Sequence, residues 1–267
     1  MEDVPYLQGE HPIRFAHRGS RKLWPENTWY GFDAAVNELG YRYIETDVQI
    51  TKDGVVVVFH DDTLERTTNG MGYVADWEWD DLQHLDAAHN FEPDGDGRFP
   101  LRGTGVRVSR LDDTFDRYPD TYFNIDLKAK GTDWGVAEVI ARMGRQDSVL
   151  VGSFSDLRLS RFRRITRARV PIAAAKRAAM TMYGLSRVGK HSKIPVQAYQ
   201  LPYEIRGAKV DRKLVDAVHA AGAHLHLWTV DDPEDMERFL ALGVDGIVTD
   251  RPDLLNDVVE ERKRATR

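Results

Sequence analysis

Cysteine is absent from this chain of 267 residues. The sequence therefore excludes a disulfide framework, a metal site made of thiolates and a catalytic thiol. Any metal ion has to be bound by carboxylate, imidazole or carbonyl groups. Ligands of this kind favour hard cations, so the expected cofactor is one divalent cation, Ca²⁺ or Mg²⁺, with Mn²⁺ as a further candidate.

Long apolar runs are absent as well. No stretch reaches the roughly 18 uninterrupted apolar residues of a membrane-spanning helix, so we expect none. The N-terminus has no basic region followed by an apolar run, so we also expect no signal peptide and a cytoplasmic location. Without a lipidation motif, a stable membrane anchor is not expected either.

A strong excess of one charge is the third feature that the chain lacks. Its 37 basic and 43 acidic residues give a net charge of -6, which argues against nonspecific nucleic-acid binding as the main activity. The hydrophobic fraction of 42% and the charged fraction of 30% are ordinary for a globular protein. The length is close to the roughly 250 residues of an eight-stranded α/β barrel. Nothing in the sequence indicates an oligomeric state.

Short apolar runs alternate with helical patterns along the whole chain. The predicted strands are residues 13–16, 43–48, 55–60, 122–127, 149–154, 170–174, 197–201, 223–230 and 246–249. The predicted helices are residues 29–39, 111–118, 135–144, 156–168, 212–221 and 233–242. This alternation predicts a parallel sheet with crossover helices. At this length it favours a single (β/α)8 TIM-type barrel domain over residues 1–267, in which strand 55–60 extends the second unit and is not one of the eight barrel strands.

Two segments interrupt the alternation. Residues 61–110 are rich in glycine and aspartate and contain no long helical pattern. We interpret them as a small insertion on the active-site face, between the second strand and its helix. Residues 176–193 are basic and irregular, and they are either a solvated helix and loop or a segment that touches a membrane surface.

Polar side chains gather where the first two strands end. His17 and Arg18 follow the first strand, and an arginine at that place suits an anion. Glu45 and Asp47 are two residues apart on the second strand and therefore face the same side. Two carboxylates that point together into a barrel mouth are costly without a cation, so a metal site is favoured over neutralisation by arginine or lysine.

The third carboxylate is Asp126, on the strand 122–127. Asn124, Asp126 and Lys128 share one face by the same alternation. The pattern indicates a metal ligand beside a cation that binds phosphate. A plain ion pair between Asp126 and Lys128 is the alternative.

Two histidines complete the candidate site. His60 ends the apolar run 55–60, so that His17 and His60 are expected on opposite sides of one pocket. Cleavage of a phosphodiester needs one group that accepts a proton from the nucleophile and another that protonates the leaving alkoxide. An ordinary histidine pKa of about 6.5 suits both tasks near neutral pH.

Taken together, these residues and their neighbours resemble the glycerophosphodiester phosphodiesterase family. The resemblance covers nearly the whole chain and is weakest between residues 142 and 195. The N-terminal motifs that carry the resemblance, in order, are His17-Arg18-Gly19, Pro25-Glu26-Asn27-Thr28, Glu45-x-Asp47, Thr51-Lys52-Asp53-Gly54, His60-Asp61 and Arg66-Thr67-Thr68-x-Gly70. The C-terminal ones are Trp228-Thr229-Val230-Asp231-Asp232 and the run from Gly243 to Asp250 with Pro252. Six ordered motifs within seventy residues make a chance match very improbable.

The resemblance implies a function for each of these residues. A divalent cation would bind Glu45, Asp47 and Asp126, and His17 with His60 would be the acid–base pair. Further implied roles concern the substrate: Arg18 and Lys128 would bind the phosphate, and Trp228 the glycerol end. A glycerol hydroxyl would attack first, and water would then open the cyclic phosphate to give an alcohol and glycerol 3-phosphate. The family usually has glutamate where this chain has Asp126, which leaves the identity and affinity of the cation open.

Several residues keep two interpretations. Glu26 and Asn27 are candidate substrate-binding residues, and the alternative for Asn27 is a cap of the following helix. His224 and His226 form an H-x-H pair of the kind that binds zinc, and we favour buried, hydrogen-bonded histidines inside the barrel. Asp250 either closes the site from the eighth strand or forms a structural ion pair.

The leading hypothesis is hydrolysis of glycerophosphodiesters such as glycerophosphocholine, with a small molecule as the binding partner. The closest alternative is a lysophospholipase D-like reaction with the same groups, for which an apolar trough beside Trp228 would argue. A barrel that binds phosphorylated ligands without catalysis is the alternative from another class. A zinc amidohydrolase built on His224 and His226 is the third.

Overall fold

The structure is a computed structural model that describes residues 4–205 and 208–265. Its strands are β1 (Ile13–His17), β2 (Tyr43–Ile50), β3 (Val56–Val58), β4 (Ser109–Arg110), β5 (Tyr122–Leu127), β6 (Val149–Gly152), β7 (Ala198–Pro202), β8 (Glu204–Ile205), β9 (Ala208–Lys209), β10 (His224–Trp228) and β11 (Gly246–Thr249). Its helices are α1 (Trp29–Asp33), α2 (Trp79–Leu82), α3 (Leu111–Arg117), α4 (Thr132–Met143), α5 (Asp156–Ile165), α6 (Lys176–Arg187), α7 (Arg212–Ala220), α8 (Pro233–Leu242) and α9 (Pro252–Ala265). A π-helical turn, Ala34–Glu38, continues α1, and 3-10 turns span Pro5–Leu7 and Val74–Asp76.

The parallel strands form the TIM-type barrel that the alternating pattern predicts. They pair in the order β6, β5, β2, β1, β11, β10 and β7. Ile172 and Ala173 fill the place between β6 and β7, because one pairs in parallel with Val151 and the other with Ala198. The predicted strand 170–174 is therefore wrong in extent, since only these two residues pair, but it is right in position.

The second unit contains the predicted extra strand and the insertion. β3 runs antiparallel to β2, and β4 runs antiparallel to β3. Strand β3 is shorter than the predicted 55–60 and leaves His60 in the loop beyond it. Residues 61–108 then form turns and short helical segments before α3, and their side chains form a small apolar core of their own around Leu64, Leu82 and Val108. The prediction of an insertion between the second strand and its helix is confirmed.

Local sequence signals set the ends of several helices. Asp232 caps α8 by accepting hydrogen bonds from two backbone N–H groups, and Gly243 ends it with a φ of 92°. The basic segment 176–193 begins with a regular helix, α6, over residues 176–187, which agrees with its interpretation as a helix and loop. Its Met182 is buried while Met180 is exposed. Among the described residues, no helix has the length and apolar character needed to cross a membrane.

The two faces of β2 explain where the polar residues lie. Ile44 and Val48 pack in the main core between the barrel and its helices. Tyr43, Glu45 and Asp47 alternate with them and face the barrel interior. Tyr43 belongs to a second core at the N-terminal end of the strands, which we call the floor of the barrel; Tyr6, from the segment before β1, packs there as well. Glu45 and Asp47 lie toward the other end, the mouth.

Candidate active site

The strand register brings the predicted residues together at the mouth. His17 at the end of β1 is the register partner of Glu45 on β2. Asp47, two residues further along β2, is the partner of Asp126 on β5. The carboxyl ends of parallel barrel strands meet at one face. Four of the predicted site residues therefore share this face. Three of them are buried, and Asp126 is partly buried.

His17 is held by a carboxylate from the far end of the chain. Its Nδ1 lies 2.7 Å from Oδ1 of Asp250, a fully buried residue that follows β11. The other oxygen of Asp250 accepts a hydrogen bond from Nε of Arg21 at 2.7 Å. Nε2 of His17 points to Glu45, whose Oε2 is 3.7 Å away. Burial alone would lower the pKa of His17, but Glu45 and Asp250 outweigh it and raise that pKa.

His60 has a similar arrangement with a different partner. Its Nδ1 lies 2.5 Å from Oδ1 of Asp61. The amide of Gln49 donates to the backbone carbonyls of His60 and Asp61 at 3.1 and 3.0 Å and fixes the loop after β3. Burial lowers the pKa of His60, and the charge of Asp47 opposes this effect only in part. The two histidine pKa values thus shift in opposite directions.

Both oxygens of Asp47 are occupied. Oδ2 forms an ion pair with Nε of Arg18 at 2.9 Å and accepts a hydrogen bond from Nδ2 of Asn27 at 3.1 Å. Oδ1 lies 2.9 Å from Nζ of Lys128, which also donates to Asp126 at 2.6 Å. Although burial would raise the pKa of Asp47, Arg18 and Lys128 lower it to about 2. Arg18 and Lys128 are thus partners of the carboxylates in the free protein.

Glu45 is the contrasting carboxylate. Burial, followed by the charge of Asp47, raises its pKa to about 7. Among the residues that the structure describes, its Oε2 is buried without a hydrogen-bond partner, and the same is true of Asn124 Oδ1 and Asp126 Oδ1. Three buried oxygen atoms without a donor fit a hard divalent cation, because Ca²⁺ and Mg²⁺ take oxygen ligands. Although aspartate is shorter than the glutamate usual in the family, Asp126 still brings an oxygen atom to this face.

A chain of ion pairs connects the two histidine loops. Arg18 donates to Glu26 at 3.0 Å. Arg66 donates to both oxygens of Glu26, at 2.8 and 2.7 Å, and its Nε binds Asp61. The Arg66 motif thus joins the loop after β1 to the loop that carries His60. Glu26 is occupied by two arginines, which makes it a residue that orients Arg18.

Asn27 does not cap the following helix, so that interpretation is wrong. Thr28 is the N-cap of α1, and its side chain accepts the hydrogen bond from the N–H of Gly31. Asn27 instead donates to Asp47 and accepts a hydrogen bond from Thr46 Oγ1 at 2.7 Å. It adopts a positive φ of 55°.

The loop after β1 has an unusual backbone. Arg18, Gly19 and Ser20 all have positive φ, at 53°, 78° and 83°. A Cβ atom on Gly19 would lie 2.7 Å from the ring of Phe32, so only glycine fits between them. The turn is held by the N–H of Arg18, which donates to the carbonyl of Glu45 at 2.8 Å. Positive φ at non-glycine residues costs free energy and is concentrated at functional sites.

An aromatic wall lies on one side of the mouth. Trp228, at the end of β10, contacts Phe154 edge to face with 5.9 Å between ring centroids. Nζ of Lys128 lies 5.7 Å from the centroid of the Phe154 ring. The Phe154 side chain is 65% exposed, which is unusual for an aromatic group beside a charged pocket.

Sequence reasoning did not assign Phe154 to the site. It placed Asn124 on the face of Asp126 without giving it a role, and it left Asp250 open between closing the site and a structural ion pair. Asn124 shares a face with Asp126 by the alternation already used, and that signal was sufficient to find it. Asp250 directly follows a barrel strand, as active-site carboxylates in barrels do. Phe154 carried no signal, because a phenylalanine after a strand is ordinarily part of the core.

The H-x-H pair on β10 lies away from the mouth. His226 is fully buried, as expected, and its Nδ1 lies 3.3 Å from the amide nitrogen of Gln200. His224 differs from the expectation, because it is partly exposed and its buried Nδ1 has no hydrogen-bond partner in the described part of the chain. The two rings approach Phe15 and His11, not the carboxylates at the mouth. This arrangement gives no support to the amidohydrolase alternative.

Comparisons with known proteins show which proteins this chain is similar to. A glycerophosphodiester phosphodiesterase of Bacillus altitudinis is 35% identical over 93% of this chain and 98% of its own length. The crystal structure of a glycerophosphodiester phosphodiesterase from Agrobacterium tumefaciens is 26% identical with a TM-score of 0.74, and the match covers 91% of this chain and 98% of that one.

A phosphodiesterase of Oleispira antarctica, solved with its product sn-glycerol 3-phosphate, shares the fold at 21% identity with a TM-score of 0.72 and covers 94% and 97% of the two chains. The sequence model of the Glycerophosphoryl diester phosphodiesterase family matches residues 17–254, which include every residue described at the mouth. The chain belongs to the glycerophosphoryl diester phosphodiesterase family.

Proposed function

We propose that this chain hydrolyses glycerophosphodiesters to an alcohol and glycerol 3-phosphate, with one divalent cation and two histidines. One observation carries the proposal: His17 and His60 are each held at Nδ1 by a carboxylate, beside three buried oxygen atoms that lack a partner. Family membership supports the reaction class. The Oleispira antarctica protein, solved with sn-glycerol 3-phosphate as its product, supports the proposed product.

Glu45, Asp47 and Asp126 would hold the cation. Enzymes of this family generally depend on a divalent cation, and an oxygen-only set of ligands suits Ca²⁺ or Mg²⁺, with Mn²⁺ as a further candidate. When bound, such an ion stabilises negative charge on the phosphate oxygens. Asn124 Oδ1 is a fourth oxygen on the same strand face as Asp126.

The directions of the two histidine pKa shifts support one assignment of the acid and the base. The lowered pKa of His60 favours its neutral form, which can accept the proton of the attacking glycerol hydroxyl through Nε2. The raised pKa of His17 favours its charged form, which can protonate the leaving alkoxide. The oxygen–phosphorus bond to the hydroxyl forms as the bond to the alcohol breaks. The two histidines then exchange roles while water opens the cyclic phosphate.

The remaining groups bind the substrate. Arg18 and Lys128 would turn from the carboxylates to the phosphate when the cation binds, because the cation then neutralises Asp47. Glu26 orients Arg18, and Asn27 orients Asp47. Trp228 and Phe154 form an apolar wall for the glycerol or the alcohol end. We keep a small-molecule substrate and a cytoplasmic location as predictions.

The experiment is release of glycerol 3-phosphate from glycerophosphocholine by the purified protein. It is run with EDTA and then with Ca²⁺, Mg²⁺ or Mn²⁺ restored. Release that requires an ion and is lost in His17→Ala, but not in the exposed control His84→Ala, supports the proposal. Binding of glycerol 3-phosphate without turnover of any diester would replace it with the non-catalytic binding barrel.

A second candidate is the lysophospholipase D-like reaction, which the exposed ring of Phe154 beside Trp228 favours. An acyl chain needs such an apolar surface, whereas glycerophosphocholine does not. If lysophospholipids are the better substrate, Phe154→Ala should lower kcat/KM for lysophosphatidylcholine by about tenfold or more and leave glycerophosphocholine hydrolysis unchanged. Equal effects on both substrates would contradict this candidate.

A further inference from the structure

Three side chains that bind metals well meet at the floor of the barrel. His11 lies in the segment before β1, His224 begins β10, and Asp245 lies just before β11. One ligand atom from each lies within 4.8 Å of the other two. His224 and Trp228 are four residues apart on β10, which separates this floor site of three residues from the mouth by about 13 Å of strand.

Hydrogen bonds fix the Asp245 carboxylate. Its Oδ2 accepts the backbone N–H of Leu225 at 2.8 Å and lies 2.8 Å from Nε2 of His219. The backbone carbonyl of Asp245 accepts the N–H of Ile13 at 2.8 Å and thereby joins it to the start of β1. Within residues 4–205 and 208–265, no donor is hydrogen-bonded to Oδ1, which leaves one oxygen for another ligand.

His224 supplies an independent indication of a ligand. Its Nδ1 is buried and has no hydrogen-bond partner among the described residues. Unpaired buried nitrogen atoms are rare in native proteins and call for an explanation. The imidazole of His11 lies beside it, with 5.2 Å between ring centroids and 59° between the planes.

We propose that His11, His224 and Asp245 form a second cation site, which takes Zn²⁺ or a similar first-row divalent ion. Two imidazoles and a carboxylate prefer such ions, whereas the oxygen atoms at the mouth prefer Ca²⁺ or Mg²⁺. Bonds to zinc of about 2.0–2.1 Å place tetrahedral ligand atoms about 3.4 Å apart. His11 is exposed, and its side chain would have to move inward by only a small distance to bind the ion. Water supplies the fourth ligand.

The ion would have a structural role. It would connect the segment before β1 with the starts of two neighbouring barrel strands, β10 and β11. The same segment already closes the floor through Tyr6, whose ring lies 5.4 Å from that of Tyr43 and 5.8 Å from that of Tyr122. Nε2 of His219 contacts Oδ2 of Asp245, so His219 would orient the carboxylate with its other oxygen toward the ion.

The test is titration of the metal-free full-length protein with Zn²⁺ by calorimetry, in excess Ca²⁺ so that the mouth is occupied. We expect one equivalent to bind. His219→Ala should weaken binding by about 10- to 100-fold, and loss of a ligand in His11→Ala should weaken it further. His84→Ala, in the insertion, is the matched control and should bind as the original protein does. Titration with Co²⁺ should give the visible absorption of a tetrahedral site.

Two further variants separate the sites. Asp47→Asn should disturb the mouth and leave Zn²⁺ binding intact, and circular dichroism checks that each variant is folded. Zinc affinity that is unchanged in His11→Ala, or lost in Asp47→Asn, would overturn the proposal. An octahedral Co²⁺ spectrum would do the same, because it would place the ion among oxygen ligands.

Discussion

The mouth and the floor of this barrel are built from the same strands but bury opposite kinds of side chain. On β2, Tyr43 packs among aromatic rings at the floor, while Asp47, four residues later, is buried among charged groups at the mouth. The floor gains free energy from apolar burial and edge-to-face ring contacts. The mouth contains carboxylates and basic side chains whose burial costs free energy. These residues are therefore retained for function and not for stability. Substitutions at the two ends should therefore affect different measurements.

The largest expected effect is at the mouth. His17→Ala should lower kcat by about 10²- to 10⁴-fold, because it removes one of the two proposed proton-transfer groups. The midpoint of thermal unfolding should change little, since the side chain contributes more to the site than to the core. The measurement is glycerol 3-phosphate release at saturating cation. If His17→Ala lost activity only because much of the protein was unfolded, the distinction between the two regions would be contradicted.

The reverse result is expected at the floor. Tyr6→Ala should lower the free energy of unfolding by about 3–5 kcal/mol, as loss of a large buried aromatic side chain does. Turnover per folded molecule should be unchanged. Urea denaturation measures the first quantity and an activity assay at low temperature the second. Tyr6→Phe is the matched control and should be nearly neutral, because the Tyr6 hydroxyl has no hydrogen-bond partner within residues 4–205 and 208–265.

A change of charge at the mouth should alter the pH profile. Asp250 raises the pKa of His17. If protonated His17 is the acid, activity falls as the pH rises through its pKa. Asp250→Asn should shift that alkaline limb to lower pH and reduce kcat by about 10²-fold or more. The pH dependence of kcat measures the shift, and an alkaline limb that does not move would assign the acid role to another group.

The smallest expected effect concerns the affinity of the mouth for its cation. The pKa of Glu45 is raised to about 7, so the proton competes with the ion below neutral pH. Ca²⁺ should bind about tenfold more weakly at pH 6 than at pH 8. Calorimetry in buffers of different ionisation enthalpy should detect proton release at pH 6. Affinity independent of pH would mean that Glu45 is not a ligand.

The sequence predicted most of the barrel because its strands bury one or both faces. The bounds of β5, β11 and α8 agree with the prediction, and the strand 55–60 was placed correctly as an extension of the second unit. The length of the strand within 170–174 could not be predicted, because two paired residues between longer loops have the same apolar pattern as a full strand. The helix α6 was only one of two interpretations of its segment, because basic residues obscure its buried positions, such as Met182.

The candidate site was predictable in its composition but not in its pairing. Alternation along β2 and β5 is a property of the backbone and placed Glu45, Asp47 and Asp126 on one face. The partner of His17 is 233 residues away in the chain. No local pattern indicates such a contact. The role of Asn27 depended on whether the first helix begins there or one residue later, a difference that side-chain preferences do not resolve.

The ion pairs of Asp47 have a consequence for the order of events in solution. Arg18 and Lys128 occupy both of its oxygens in the free protein. A cation that takes this carboxylate releases two positive groups, and a phosphate that takes those groups releases the carboxylate. Each ligand therefore lowers the work required to bind the other, and by reciprocity the two affinities must increase by the same factor. The cation affinity that matters in a cell is the one in the presence of substrate, and it should exceed the affinity measured for the protein alone.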